Sequence, residues 1–330
     1  MATEQSRSGW FALVVVGSAL TLLAGAVATA SGFVLSATWR EPHRVWPVEG
    51  YDITIAREPA VGVIVAMGIL VVIGIVLMLV GAYGWGKVTA TLPQTPVATG
   101  HYPAALSGEL REPLSRWLWL VKWILVIPHV VVLGVLWVAF AVVTIAAGFT
   151  ILFTGHFPRP FFEFSVGVLR WNWRVAFYAY SALGTDIYPP FSLDPADYPA
   201  SLAVQYPERL SHGLVLVKWW LLAIPHLVIL GVVGGGGWGL GWGFGGMLER
   251  GHWSTGAGAS LLGLLVLVAA IILLFSGKYQ RPLFDLIMGL NRWAFRVAAY
   301  VTLLRDEYPP FRLDQGGTEP VITGTEKSDG

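Results

Sequence analysis

The sequence predicts an all-α, polytopic membrane protein with about six transmembrane helices. Three observations carry that prediction. The 330 residues are 55% hydrophobic and only 12% charged, where a soluble domain carries about 25% charged residues. The apolar residues come in blocks long enough for a bilayer, which needs about 20 per helix. Finally, the chain repeats itself: "LVKWILVIPH" at 120 to 129 returns as "LVKWWLLAIPH" at 216 to 226.

The first apolar block runs from Trp10 to about Thr38. It contains "ATA" at 28 to 30, a cleavage-like site, but the apolar run continues past it. An uncleaved span is therefore expected, with cleavage after Ala30 as the alternative. Residues 39–58 are polar and contain prolines, hence a loop. A second span follows from about Pro59 to Tyr83, and 84–100 form a Pro/Thr/Gly linker. Residues 1–100 thus form an N-terminal two-span region.

Two membrane repeats follow, over 101–195 and 196–315. "YPAALSGELREPLSRWLWLVKW" begins at Tyr102 and "YPASLAVQYPERLSHGLVLVKW" at Tyr198. "FTGHFPRPFFEF" matches "FSGKYQRPLFDL", "RWNWRVAFY" matches "RWAFRVAAY", and "DIYPPFSLD" matches "DEYPPFRLD". Repeat 2 carries a Gly-rich segment, 231–256, that divides its apolar region in two. Repeat 1 has one uninterrupted block, about 114 to 154, some 60 Å long as a helix and too long for a 30 Å core. The expectation is a helical hairpin, full or re-entrant, turning near Gly134. The count becomes six: two spans at the front and a hairpin in each repeat. Residues 316–330 form a polar tail expected to be disordered.

Orientation follows from the basic residues. With the N-terminus inside, only Arg40, Arg44, Arg57 and Arg250 of the 21 fall in outer loops. The positive-inside rule then puts both termini in the cytoplasm. The 16 Trp residues are expected to mark where helices leave the bilayer. There is no Cys, which excludes disulfides, zinc thiolates and thiol catalysis.

The motif set of the two repeats resembles the bacterial membrane family called domain of unknown function 4389, found often in actinobacteria. The resemblance covers about two thirds of the chain. Repeat 1 departs with "REPL" where repeat 2 has "PERL", and Arg116 stands where His212 does. The resemblance implies a multi-span domain of a bacterial cytoplasmic membrane, and it implies no established reaction.

The repeated polar residues are the candidate sites. Lys122 and Lys218 stand near the starts of their spans, beside Trp123 and Trp219. They read as snorkelling anchors or as head-group phosphate contacts. His129 and His226 lie about two helical turns deeper, each after a proline. One reading has each ring bonding a carbonyl freed by the proline, or one on the facing helix. The other makes the pair a proton relay or substrate site. No metal site is expected, since zinc wants three or four ligands.

After each apolar region comes an amphipathic helix, 161–183 or 283–304, expected at the cytoplasmic face. Arg170 with Arg174, and Arg292 with Arg296, share a helix face at i, i+4. They could meet anionic lipid or pair with Glu163 and Asp285. Asp186 and Asp306 precede "YPPF" and read as helix stops with Tyr and Phe at the interface. The glycine run lacks a following GK[ST], and no protease, hydrolase or dinucleotide motif stands in a convincing context.

The functional expectation is therefore a non-enzymatic scaffold or accessory subunit without cofactor. Its expected partners are lipids, anionic ones included, and another membrane protein or further copies of itself, not nucleic acid. The alternative is a small-solute or proton-coupled transporter, or a channel, with its pathway between the repeats.

Overall fold

A computed structural model describes residues 2–40, 57–90, 102–234 and 260–317. Most of the expected outer loop, linker, Gly-rich segment and tail lie outside these residues. The described chain is mostly helical and divides into two compact units, 1–84 and 85–330. Four helices are long and apolar enough to cross a membrane, over 7–32, 61–89, 127–154 and 214–231, which marks a membrane protein.

The first unit is built on α1, Ala2–Arg40, and α2, Arg57–Thr89. Its helices approach closely because glycines face each other. A Cβ on Gly17 would lie 2.6 Å from the Gly74 oxygen, and one on Gly74 would lie 2.7 Å from the Gly17 oxygen. Small residues that let backbones touch are how apolar helices associate without a hydrophobic driving force.

The second unit holds both repeats. Repeat 1 comprises β1 (Ala104–Gly108), α3 (Leu118–Leu125), α4 (Ile127–Thr154) and α5 (Arg159–Ala179). Repeat 2 begins with β2 (Ala200–Val204) and α6 (Leu214–Val217), then a π-turn, Lys218–Leu222. It continues with α7 (Ile224–Gly234), α8 (Leu261–Ser276) and α9 (Arg281–Val301).

Three sequence expectations are corrected here. Repeat 1 has no hairpin at Gly134, because α4 runs unbroken through it. One glycine costs a helix only about 1 kcal/mol, which the buried stripe from His129 through Leu133, Leu136, Phe140, Val143 and Ala147 to Ile151 offsets. In repeat 2, α7 has 11 residues and α8 has 16. Together they match the 28 residues of α4, so the Gly-rich segment interrupts one helix's equivalent. Second, the fold is not all-α: β1 and β2 pair antiparallel. Third, α5 and α9, expected as amphipathic surface helices over 161–183 and 283–304, start at Arg159 and Arg281 with a proline in the first turn, yet neither lies on a surface. Both are buried around most of their circumference, with Trp171, Trp173 and Trp293 in the core rather than at an interface.

A local twofold relates the repeats. Leu106 pairs with its own equivalent Leu202, and Ala104–Val204 mirrors Gly108–Ala200. Equally, Trp173 of α5 meets its equivalent Phe295 of α9 at 5.4 Å. The axis passes through both pairs. Each strand packs on the helix of the other repeat, β2 on α5 and β1 on α9. The two left-handed non-glycine residues, Leu183 and Leu303, also hold equivalent places, each three residues before Asp186 or Asp306.

Candidate functional site

Each repeat contains the same buried cation. Lys122 Nζ lies 2.8 Å from Asp186 and donates to the Thr185 carbonyl at 2.7 Å. Lys218 Nζ lies 2.7 Å from Asp306 and donates to the Arg305 carbonyl at 2.9 Å. The second carboxylate oxygen accepts from the Ser115 or Ser211 backbone N–H at 2.6 Å. The aspartate thus staples the segment entering the first helix to the segment leaving the last. Tyr178 and Tyr300 cover the ammonium groups at 4.8 and 5.4 Å. Lys122 and Lys218 are both almost wholly buried, so neither snorkels nor reaches a head group. Asp186 and Asp306, read from sequence as helix stops, are their partners. The signal was present, since lysine and aspartate recur together in both copies.

One residue more separates lysine from histidine in repeat 2 than in repeat 1. Seven residues of α-helix turn about 700°, and eight turn about 800°, which would swing His226 off the buried face. The π-turn absorbs the extra residue. Its Ala223 N–H reaches back five residues to the Lys218 carbonyl at 3.0 Å, where Val126 reaches back four to Lys122. Single-turn π-bulges arise this way and recur at functional sites. Deleting Leu221 should therefore convert the π-turn to α-helix and leave the Lys218–Asp306 pair formed. The expected shift in unfolding midpoint in nanodiscs is within a few degrees, against a large loss for the same deletion in α3.

Both histidines are fully buried in aromatic cages of their own repeat. His129 stacks on Phe191 at 3.7 Å and lies 4.9 Å from Tyr188. His226 stacks on Phe311 at 4.1 Å and lies 4.8 Å from Tyr308. Neither bonds the carbonyl its proline frees. Tyr188 instead donates to the Leu125 carbonyl beside the break. The cages differ at tryptophan. Trp171 donates to His129 Nδ1 at 3.0 Å, which puts the proton of the neutral ring on Nε2. Trp293 is tilted at 60° to His226, and no hydrogen bond joins them. His129→Phe should accordingly cost about 1–3 kcal/mol for the lost indole acceptor, and His226→Phe under about 1 kcal/mol. Equal losses in thermal unfolding would show that the indole bond carries no weight.

Two of the four arginines, Arg170 and Arg292, link the repeats. Arg170 Nε donates to the Leu202 carbonyl at 3.1 Å, and Arg292 Nε to the Leu106 carbonyl at 3.0 Å. These are the outward carbonyls at the ribbon's centre. Arg170 also donates to Leu193, and Arg292 to Gly316 and Asp314. Arg174 donates to the Ser192 carbonyl, and Arg296 pairs with Asp314 at 2.7 Å. All four are buried, so their side chains are turned into the protein rather than towards lipid phosphates. Glu163 lies 4.0 Å from Arg159 and not against Arg170.

Burial pushes Arg170 down to about 10, opposed by Glu163. It pushes Asp314 up, but Arg296 and Arg312 outweigh it and hold that carboxyl below its usual range.

A polar cleft of about 330 Å³ lies between Gln205–Leu210 and Arg305–Glu307. Arg305 there is held by the Glu307 carboxylate and the Gln205 carbonyl. Among the described residues, no three His, Asp or Glu side chains converge to hold a metal.

Comparison with known proteins agrees with this organisation. Two segments, 116–192 and 255–312, match the family model described as a domain of unknown function, DUF4389. The family model thus matches the chain in two places, one in each repeat. The second match begins within the Gly-rich segment and omits α6, the π-turn and α7, which the structure supplies as the counterparts of α3 and early α4. No curated protein and no solved structure matches the chain.

Proposed function

We propose that this chain, with its two copies of a domain of unknown function, is a non-enzymatic scaffold or accessory subunit of a bacterial cytoplasmic membrane. It works through lipid and protein contacts and keeps both termini in the cytoplasm. One observation carries the preference over transport. The contact between the repeats, where a pathway would run, is filled by Trp173, Phe177, Phe284, Phe295, Leu106 and Leu202, all buried. Lys122, Lys218, Arg170 and Arg292, which a relay would need, are spent on carboxylates and carbonyls of the fold. The two histidines are each enclosed in their own repeat.

The test is gentle extraction of the native protein with its lipids, followed by mass spectrometry of what co-purifies. A stoichiometric second protein is expected. A self-assembly without partner, joined to solute flux that folded His129→Phe or His226→Phe protein abolishes, would overturn the reading in favour of transport.

A further inference from the structure

We infer that the second unit lies flat on the bilayer. Its apolar helices would be sunk into one leaflet and its β-ribbon held in water, so that α3–α4 and α6–α8 do not cross.

The first ground is the separation of faces on α5. Arg170, Trp173 and Phe177 meet the ribbon. Trp171 and Tyr178 lie about 100° round the helix and meet α4 and α3. Ribbon and apolar helices thus occupy different faces of the α5–α9 layer.

The second ground is what each side shows to its surroundings. The helix side exposes apolar residues towards both ends, Ile124 and Val131 at one and Ile145, Phe149 and Phe153 at the other, the last 78% exposed. Repeat 2 continues the pattern from Leu216 through Val228 and Leu267 to Phe275, 79% exposed. The YPPF turns extend this face with Ile187, Phe191 and Phe311. Their paired prolines bring no N–H donors into an apolar medium. The ribbon side exposes Ser201, hydrogen-bonded to Ser107, and runs into exposed Glu109, Arg111 and Gln205. Open ribbon backbone is excluded from hydrocarbon, where no water can satisfy it.

The twofold completes the argument. An axis from the Leu106–Leu202 pair to the Trp173–Phe295 pair carries repeat 1 onto repeat 2 without changing height along it. Both apolar faces and both YPPF turns therefore look the same way, towards one leaflet. The occupant is a phospholipid bilayer interface, which takes amphipathic surfaces about 5–10 Å deep.

This inference rests on the membrane residence proposed above but not on the accessory role, and partner capture and depth measurement fail separately. The chain has no cysteine, so Ile124→Cys, Val131→Cys, Ile145→Cys and Phe153→Cys can each carry a nitroxide in the full-length protein. Depth is read in phosphatidylcholine–phosphatidylglycerol vesicles from collisions with oxygen against a nickel chelate, with Ser201→Cys as the aqueous reference. The expected profile is flat: four oxygen-rich labels within about 5 Å of one depth, and a chelate-accessible Ser201 label. A profile about 10–15 Å deeper at Val131 and Ile145 than at the two ends, as a crossing of a 30 Å core requires, would overturn the inference. Chelate access at all four positions would overturn it equally. Should a repeat 1 variant misfold, Leu216→Cys, Val228→Cys, Leu267→Cys and Phe275→Cys report the same profile from repeat 2.

Discussion

Lys218→Met is expected to destabilise the second unit by about 3 kcal/mol, the lower end of the 3–5 kcal/mol typical when one partner of a buried ion pair is removed. The lower end applies because the Asp306 side chain keeps 20% of its surface exposed, so water partly solvates the orphaned carboxylate. It also keeps the Ser211 N–H. Lys218 itself is fully buried and carries no other charge partner within the staple.

The double variant Lys218→Met, Asp306→Asn should recover much of that loss, because replacing a whole buried pair is often near neutral. Asparagine can still accept from Ser211. Denaturant unfolding of the two variants in nanodiscs, compared as a double-mutant cycle, gives the coupling directly. Additive losses would mean that the lysine and aspartate act independently and that the staple is not a unit. Lys122→Met should follow in the same direction and less steeply, since Asp186 is the more exposed carboxylate, at 26% against 20%.

These pairs show what could be read from the sequence and what could not. Lys122 and His129 were recognisable as unusual because each stands in an apolar run and recurs. Their spacing along the helix was legible. What each side chain meets was not, because the partner lies on an element whose placement is a tertiary matter. Asp186 had a sufficient local explanation in the following prolines, which hid its second role.

The helices α5 and α9 were legible from their arginine spacing. Their mixture of Arg, Trp and Tyr suited a membrane surface as well as it suits a core, so burial could not be told from amphipathicity. The ribbon was missed because Ala-Ala-Leu-Ser-Gly has almost no strand propensity. Its strands are held by Arg170 and Arg292 at the Leu202 and Leu106 carbonyls and by Trp173 at the Ser107 carbonyl. The hairpin at Gly134 failed for the opposite reason, since a length argument was answered with a turn when a helix lying along the protein also satisfies it.

Arg292→Met is the second large effect, and it tests whether the repeats are one cooperative unit. The guanidinium is fully buried and donates to Leu106, Gly316 and Asp314 carbonyls. Each carbonyl left dry and unpaired costs about 1–3 kcal/mol. The losses overlap because the three groups move together, and a total of about 3–5 kcal/mol is expected. Arg292→Lys should retain less than half of the contribution, because one ammonium cannot reproduce a planar fork that serves three acceptors.

The decisive readout is hydrogen exchange in the ribbon rather than overall stability. Leu106 belongs to repeat 1 and Arg292 to repeat 2, and β1 is the only ladder partner of β2 among the described residues. Loss of the Arg292 anchor should therefore raise exchange in 200–204 as well as in 104–108, although Arg170 still holds the Leu202 carbonyl. The mirror variant Arg170→Met should do the same from the other side. If Arg292→Met instead frees β1 alone and leaves β2 protected, the twofold is only a resemblance between two independently folded copies. If both strands open together, neither repeat has a complete core without the other's arginine, and the tandem arrangement is a requirement of the fold.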